Sequence, residues 1–190
     1  MILPIVQYGD PVLREKGAKI KEVTDEIRKL CDDMLETMKD ADGVGLAAQQ
    51  IGKKLQLAVV DVSHNEEAAS YVRVNGECRD MMEMMPLFFM NPKIKADGDR
   101  IADQEGCLSF PDIRADSKRP GAIRAELTLL DGEEIEIETD GLLARAIQHE
   151  TDHLNGILFI DRMSPAKKVS LRKTLKVMKQ EGEAMAKKRE

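Results

Sequence analysis

Apolar residues recur at spacings of three and four through Ile27, Leu30, Cys31, Met34, Leu35 and Met38, which predicts a helix with one buried face. Thr24 precedes the run as an N-cap, and Asp25 and Glu26 place negative charge in the first turn, where a helix favours it. The pattern ends before Gly43. Cys31 lies on the apolar stripe, so core packing is expected of it and not chemistry. A run of small residues from Gly43 to Gly52 leads into a strand over 55–62. Residues 64–86 are polar and then rich in methionine (Met81, Met82, Met84, Met85). They read as an insertion, a long loop or short helix between two strands, because 87–94 is extended again. Its composition favours ordinary packing over a flexible lid. His64 and Cys78 fall within it and are expected at the surface.

Apolar and polar residues alternate over 122–130 and 133–139, around Asp131-Gly132. That is a hairpin signal. A helix is predicted from Leu142 to Asn155 with Gly156 closing it, and Ser164-Pro165 opens a final helix that presents Leu171, Leu175 and Met178 on one face. The elements describe one α+β domain spanning residues 1–190. In it, mixed and mainly antiparallel sheets pack around a central helix, with a helix near the N-terminus and a long one over 165–190.

Charge changes this picture at one place. The chain carries a formal charge of −6, yet the segment from Lys167 to Glu190 alone carries +6. An acidic body argues against sequence-specific nucleic-acid binding. The basic tail is either a solvated helix face or a handle for an anionic assembly. No apolar run approaches the ~20 residues that span a bilayer, so no membrane partner is expected. The opening residues lack the marks of a secretory leader, and the three scattered cysteines do not suggest a disulfide scaffold. A cytoplasmic location is expected.

The chemistry concentrates in His149-Glu-Thr-Asp-His153, which holds two of the three histidines. Residues four apart on a helix differ by only about 40° around its axis, so both imidazoles leave one face and suit a single ion. Glu150 is placed to hold a water there and take its proton. The third ligand is less determined. Phe159 stands where one class of such hydrolases has another histidine. Glu181 and Glu183 flank Gly182 in the basic tail, a poor platform for a ligand. Cys107, in Glu105-Gly-Cys-Leu-Ser-Phe-Pro111, remains, although a lone cysteine is more often a core residue than a ligand.

Three segments, Gly43-Val-Gly-Leu-Ala-Ala-Gln-Gln50, Glu105-Gly-Cys-Leu-Ser109 and Gln148-His-Glu-Thr-Asp-His-Leu154, stand in that order. Together they resemble the signature motifs of bacterial peptide deformylases. Tyr8-Gly-Asp-Pro-Val-Leu-Arg14 and the helical C-terminus are similar to that family too. The resemblance implies hydrolysis of the formyl group from N-formylmethionyl nascent peptides, by a metal-bound water with Glu150 as general base. It implies Cys107, His149 and His153 as ligands of one divalent ion, Fe2+ in the cell, with Zn2+, Ni2+ or Co2+ able to replace it. Gln50 and the backbone N–H of Leu108 would stabilise the oxyanion. Gly45, Val44, Glu105, Gly106, Arg114, Leu142 and Arg145 would form the substrate site. Arg145 replaces an apolar residue found in some members; its alkyl stem would line the methionine pocket while its guanidinium reaches solvent. The basic C-terminal helix suggests the ribosome as a partner.

Overall fold

A computed structural model of the chain describes residues 1–189. Helix α1 (Asp25–Asp40) begins where the cap was expected, with the Thr24 hydroxyl accepting from the Ile27 N–H at 3.4 Å. Its stripe of Cys31, Met34 and Met38 is buried against Leu46, Leu57, Val59 and Met90. Burial pushes the Cys31 thiol up to about 12, which leaves it an inert core residue.

Seven strands follow: β1 (Gly45–Ala47), β2 (Leu57–Val60), β3 (Val72–Val74), β4 (Glu77–Cys78), β5 (Leu87–Cys107), β6 (Phe110–Thr128) and β7 (Glu134–Asp140). They form one sheet in the order β1-β2-β5-β6-β7-β3-β4, every pair antiparallel. The α+β expectation holds, but two strands are far longer than the alternation indicated. β5 runs on from the expected 87–94 to Cys107, and β6 starts at Phe110 instead of 122. Alternation is present in this part of β6, but its buried members include Ser117 and Arg119 beside Ile113 and Ala115. Polar residues on the inward positions hide the period. Irregularities at Met90/Lys93, Asp97/Arg100 and Gly106/Cys107 interrupt the pairing, as bulges do where a long ribbon bends.

The 64–86 insertion is not a plain loop. β3 and β4 form a small hairpin that extends the sheet by pairing Val72 with Thr139 and Val74 with Ile137. A short helix, α2 (Met81–Met84), follows. Met81 joins the core, and Met84 and Met85 pack against it, while Met82 is exposed. His64 and Cys78 are exposed.

Helix α3 (Gly141–Leu154) is the centre of the molecule, with every residue from Leu143 to Leu154 buried. Its apolar face enters the core formed by β1, β2, β5, β6 and β7. The C-terminal segment is two helices, α4 (Pro165–Ser170) and α5 (Arg172–Arg189), separated by Leu171. Leu171, Leu175 and Met178 pack on Val6, Phe110 and Phe159 as their spacing required. At Gly182 the helix meets the backbone of the N-terminal segment, where a β-carbon would collide with the Tyr8 carbonyl. Arg189 then pairs with buried Asp10 at 2.5 Å. No helix among the described residues is long and apolar enough to cross a membrane.

Candidate metal centre

α3 sets His149 and His153 one turn apart, with ring centroids separated by 5.0 Å. The end of β5 brings the third group. The register shift at Gly106/Cys107 pairs Cys107 with Phe110 across a tight connection and places Cys107 Sγ 3.3 Å from His153 Nε2. One donor atom from each of Cys107, His149 and His153 lies within 4.8 Å of the others. A soft sulfur with two imidazole nitrogens suits a borderline divalent ion such as Zn2+ or Fe2+. The residues present therefore fit a metal. Glu181 and Glu183 stand exposed on α5.

Glu105 orients the cluster from behind. Its carboxylate is 5% exposed and accepts from His149 Nδ1 at 3.1 Å. With Nδ1–H committed there, Nε2 of His149 is left to face the other donors. The same carboxylate accepts from Ser117 Oγ at 2.5 Å, Arg119 Nε at 2.6 Å and Nη2 at 3.0 Å, and Arg145 Nη1 at 2.6 Å. Burial alone would raise the Glu105 carboxyl, but the hydrogen bonds from His149 and Arg119 outweigh it and hold it well below the carboxylate range. It is a fixed anion. Burial also lowers His149, yet its hydrogen bonds with Cys107 and Glu105 prevail and lift it to about 10. Negative surroundings of this kind favour a bound cation. Burial drives His153 well below its usual value, leaving a neutral imidazole fit to ligate.

Glu150 lies next to this cluster at 4% exposure. Burial pushes its carboxyl up to about 7 against the opposing pull of His149 and Arg119. Its Oε2 is buried without a protein partner. Gly45 makes the room, because a β-carbon there would collide with Glu150 Oε1. Gln50, on the turn after β1, accepts from the Ala47 N–H through Oε1 at 2.9 Å. That fixes the amide so that Nε2 points at Cys107 Sγ and Ser109 Oγ, each at 3.5 Å.

The residues named for the substrate lie on β1, the β5–β6 hairpin and the start of α3. β1 pairs with β2 on one side, Gly45 opposite Val60, and is an edge of the sheet among the described residues. Val44, just before it, is half-buried. The Leu108 side chain reaches this segment, 2.8 Å from where a β-carbon of Gly43 would stand. Gly106 pairs with exposed Arg114 across the β5–β6 hairpin, and half-buried Leu142 opens α3.

Arg145 departs from expectation. Its guanidinium does not reach solvent but is buried on Glu105, with Nη2 donating to the Ile101 carbonyl at 2.9 Å. A buried carboxylate demands compensation, and Arg145 is within reach. Sequence reasoning missed Ser117, Arg119, Asp152 and Arg162 altogether. Arg119 Nη1 donates to Asp152 at 2.7 Å, and Arg162 Nη2 donates to the same carboxylate at 2.7 Å. The polar inward positions of β6 were the available signal. A hollow of about 490 Å³ between Ile20, Arg28, Asn91 and Leu130 shares no residue with the centre.

A Cys/His/His cluster beside a buried carboxylate, its histidines on a helix packed against an antiparallel sheet, has the donor set that a metal-dependent hydrolase uses. The sequence profile of the family described as Polypeptide deformylase matches residues 2–169. The peptide deformylase of Opitutus terrae is 44% identical over 189 residues, which cover 98% of each chain. That of Methylacidiphilum infernorum is 43% identical over 185 residues, covering 97% of this chain and 96% of its own. The crystal structure of a Synechococcus elongatus peptide deformylase in complex with actinonin superposes with a TM-score of 0.77 at 39% identity, covering 90% of this chain and 87% of that one. The Thermotoga maritima peptide deformylase gives 0.74 at 36% identity, covering 87% and 99%. The chain belongs to the polypeptide deformylase family. It is a hydrolase, and the activity of that family is removal of the N-terminal formyl group.

Proposed function

We propose that the chain deformylates N-formylmethionyl nascent peptides, with Cys107, His149 and His153 holding one divalent ion and Glu150 carrying the proton. The observation that supports this most directly is the buried Glu150 carboxylate, with Oε2 unpartnered, beside the three donors. When bound, the ion supplies a water acidic enough to react near neutral pH, since such a site lowers a water pKa from 15.7 to about 7. Glu150 takes the proton of the attacking water and returns it to the departing amine nitrogen. Gln50 Nε2 and the Leu108 N–H donate to the oxygen on which charge develops. The open edge of β1 at Val44 and Gly45, together with Glu105-Gly106, pairs with the peptide backbone as an added strand would. Leu142, Arg114 and the stem of Arg145 border the methionine side chain. Fe2+ is the proposed ion in the cell, with Zn2+, Ni2+ or Co2+ able to substitute. Formate release from a formyl-Met-Ala peptide, with no cleavage of its internal bond and none of its acetyl counterpart, is the expected result. Internal cleavage without formate would replace this reading with that of a peptidase.

Gln50 gives a sharper test of the oxyanion role. Gln50→Leu removes one donor and is expected to lower kcat by roughly 10²–10³-fold, about 2.7–4 kcal/mol, with KM little changed. A raised KM at constant kcat would move Gln50 to ground-state binding.

We infer that α4 and α5 dock on ribosomal RNA, because Lys168, Arg172, Lys173 and Lys176 are exposed on the basic segment of an otherwise acidic chain. Action on emerging chains sets the proposed cytoplasmic location. Since Leu171, Leu175 and Met178 are packed on the body, the test is substitution and not truncation. Changing these four cations to Gln should leave activity on short peptides intact and reduce salt-sensitive co-sedimentation with ribosomes. Equal sedimentation would refute docking by this face.

A further inference from the structure

Arg145 and His149 stand one turn apart on α3 and grip the two oxygens of one carboxylate. His149 Nδ1 donates to Glu105 Oε2 at 3.1 Å, and Arg145 Nη1 donates to Glu105 Oε1 at 2.6 Å. Arg145 reaches further into the β5–β6 hairpin. Nη1 lies 3.2 Å from Ser117 Oγ and 3.3 Å from the Ser117 carbonyl, and Nη2 donates to the Ile101 carbonyl at 2.9 Å. The whole residue is 8% exposed. An arginine serving only as an apolar wall would keep its stem on the cleft and its head in water. This one is desolvated, which is tolerated only where the charge is paired and its donors are used.

The geometry points to Arg145 as a positioning residue that fixes the Glu105 carboxylate against His149, and so turns that imidazole toward Cys107 and His153. Arg119 holds Glu105 from within β6, through Nε on Oε1 and Nη2 on Oε2. That fork sets the carboxylate relative to the hairpin. Arg145 sets it relative to the helix that carries the two histidines, by a direct bond to Glu105, where Arg119 reaches that helix through Asp152. With both, Glu105 cannot swing without breaking a charge-assisted bond to one element or the other. Arg145 thus ties the strand bearing Cys107 to the helix bearing His149 and His153, close behind the ligands.

The inference rests on His149 as a metal ligand, and the test separates the two claims. Zn2+ affinity is measured on the full-length protein by chelator competition. Arg145→Met keeps the stem and removes the donors; its dissociation constant should rise roughly 10–100-fold, the usual effect of losing a group behind a ligand. Arg145→Lys should recover part of that loss, since an ammonium can reach Glu105 but cannot also hold Ile101. Lys118→Gln, exposed on the same hairpin, should change nothing. In a Glu105→Gln background the Arg145→Met effect should shrink to within about twofold, because residues acting through a shared partner are not additive. Unchanged affinity in Arg145→Met, even with a lowered Tm, or full additivity with Glu105→Gln, overturns the assignment. Should Arg145→Met not fold, Arg145→Lys and Arg145→Gln carry the same comparison. A wild-type protein that binds no Zn2+ would instead overturn the reading of the centre itself.

Discussion

Glu150→Gln is expected to keep its metal and to lose turnover by roughly 10²–10⁴-fold, the contribution of a positioned acid–base group. Glutamine matches glutamate in shape, so the space left by Gly45 stays filled and the neighbouring histidines keep their packing. What disappears is the carboxyl beside the cluster whose raised value suits it to accept and return a proton. Stability should not fall with activity. The carboxyl is buried at 4% exposure, and its elevated value shows that burial disfavours the charged form. A neutral amide removes that cost, so Tm should hold or rise, as it does where a site is kept strained for function. Metal per chain, kcat and Tm measured together decide the role. Loss of metal in this variant would make Glu150 a ligand; retained kcat would leave the proton without a carrier.

The placement of Glu150 beside the two histidines could be read from the sequence because the residues around it are local. A pair of histidines four apart, with a glutamate after the first, is a helical pattern whose geometry is set by the helix itself. The same holds for α1, where Thr24 and the Cys31-Met34-Met38 stripe appear as expected. The long β5–β6 pair was not legible, because pairing there is carried by the backbone while Ser117 and Arg119 occupy the inward positions. Periodicity detects apolar faces, and this face is lined with polar groups that serve the centre. The support of His149 was hidden for the same reason. Glu105, Arg119, Arg145 and Asp152 come from two strands and one helix, and no spacing joins them. Arg145 shows the limit plainly. Its position on the helix was legible one turn before His149, but the direction of its guanidinium was set by Glu105, a partner the sequence places forty residues away. In the insertion, expected as a long loop or short helix, the helix α2 is present and the β3–β4 hairpin was not foreseen. Its strands are too short to show alternation, and they exist because β7 offers an edge to Val72 and Val74.

Cys107 is where resemblance carried more weight than pattern, and where the largest loss of metal is expected. A lone cysteine is more often a core residue than a ligand; in the structure Cys107 is half-buried, with Sγ 3.3 Å from His153 Nε2 and 3.5 Å from Gln50 Nε2. Cys107→Ser replaces an anionic ligand by a neutral hydroxyl whose oxygen is a harder and weaker donor. The variant should bind metal far more weakly than the wild type, because a catalytic ion needs three protein ligands and an open position. Cys31→Ser and Cys78→Ser serve as internal controls. The first changes a core thiol packed with Met34 and Met38, the second an exposed one, so metal content should be that of the wild type in both. Co2+ supplies a readout independent of turnover. The Co2+ protein should show a sulfur-to-metal charge-transfer band in the near ultraviolet, retained in the Cys31 and Cys78 variants and absent from Cys107→Ser at saturating Co2+. Glu150→Gln should keep the band, which separates loss of the ligand from loss of the base in one spectrum. An active Co2+ wild type without that band would mean that sulfur is not a ligand, and a band surviving in Cys107→Ser would move the role to another cysteine.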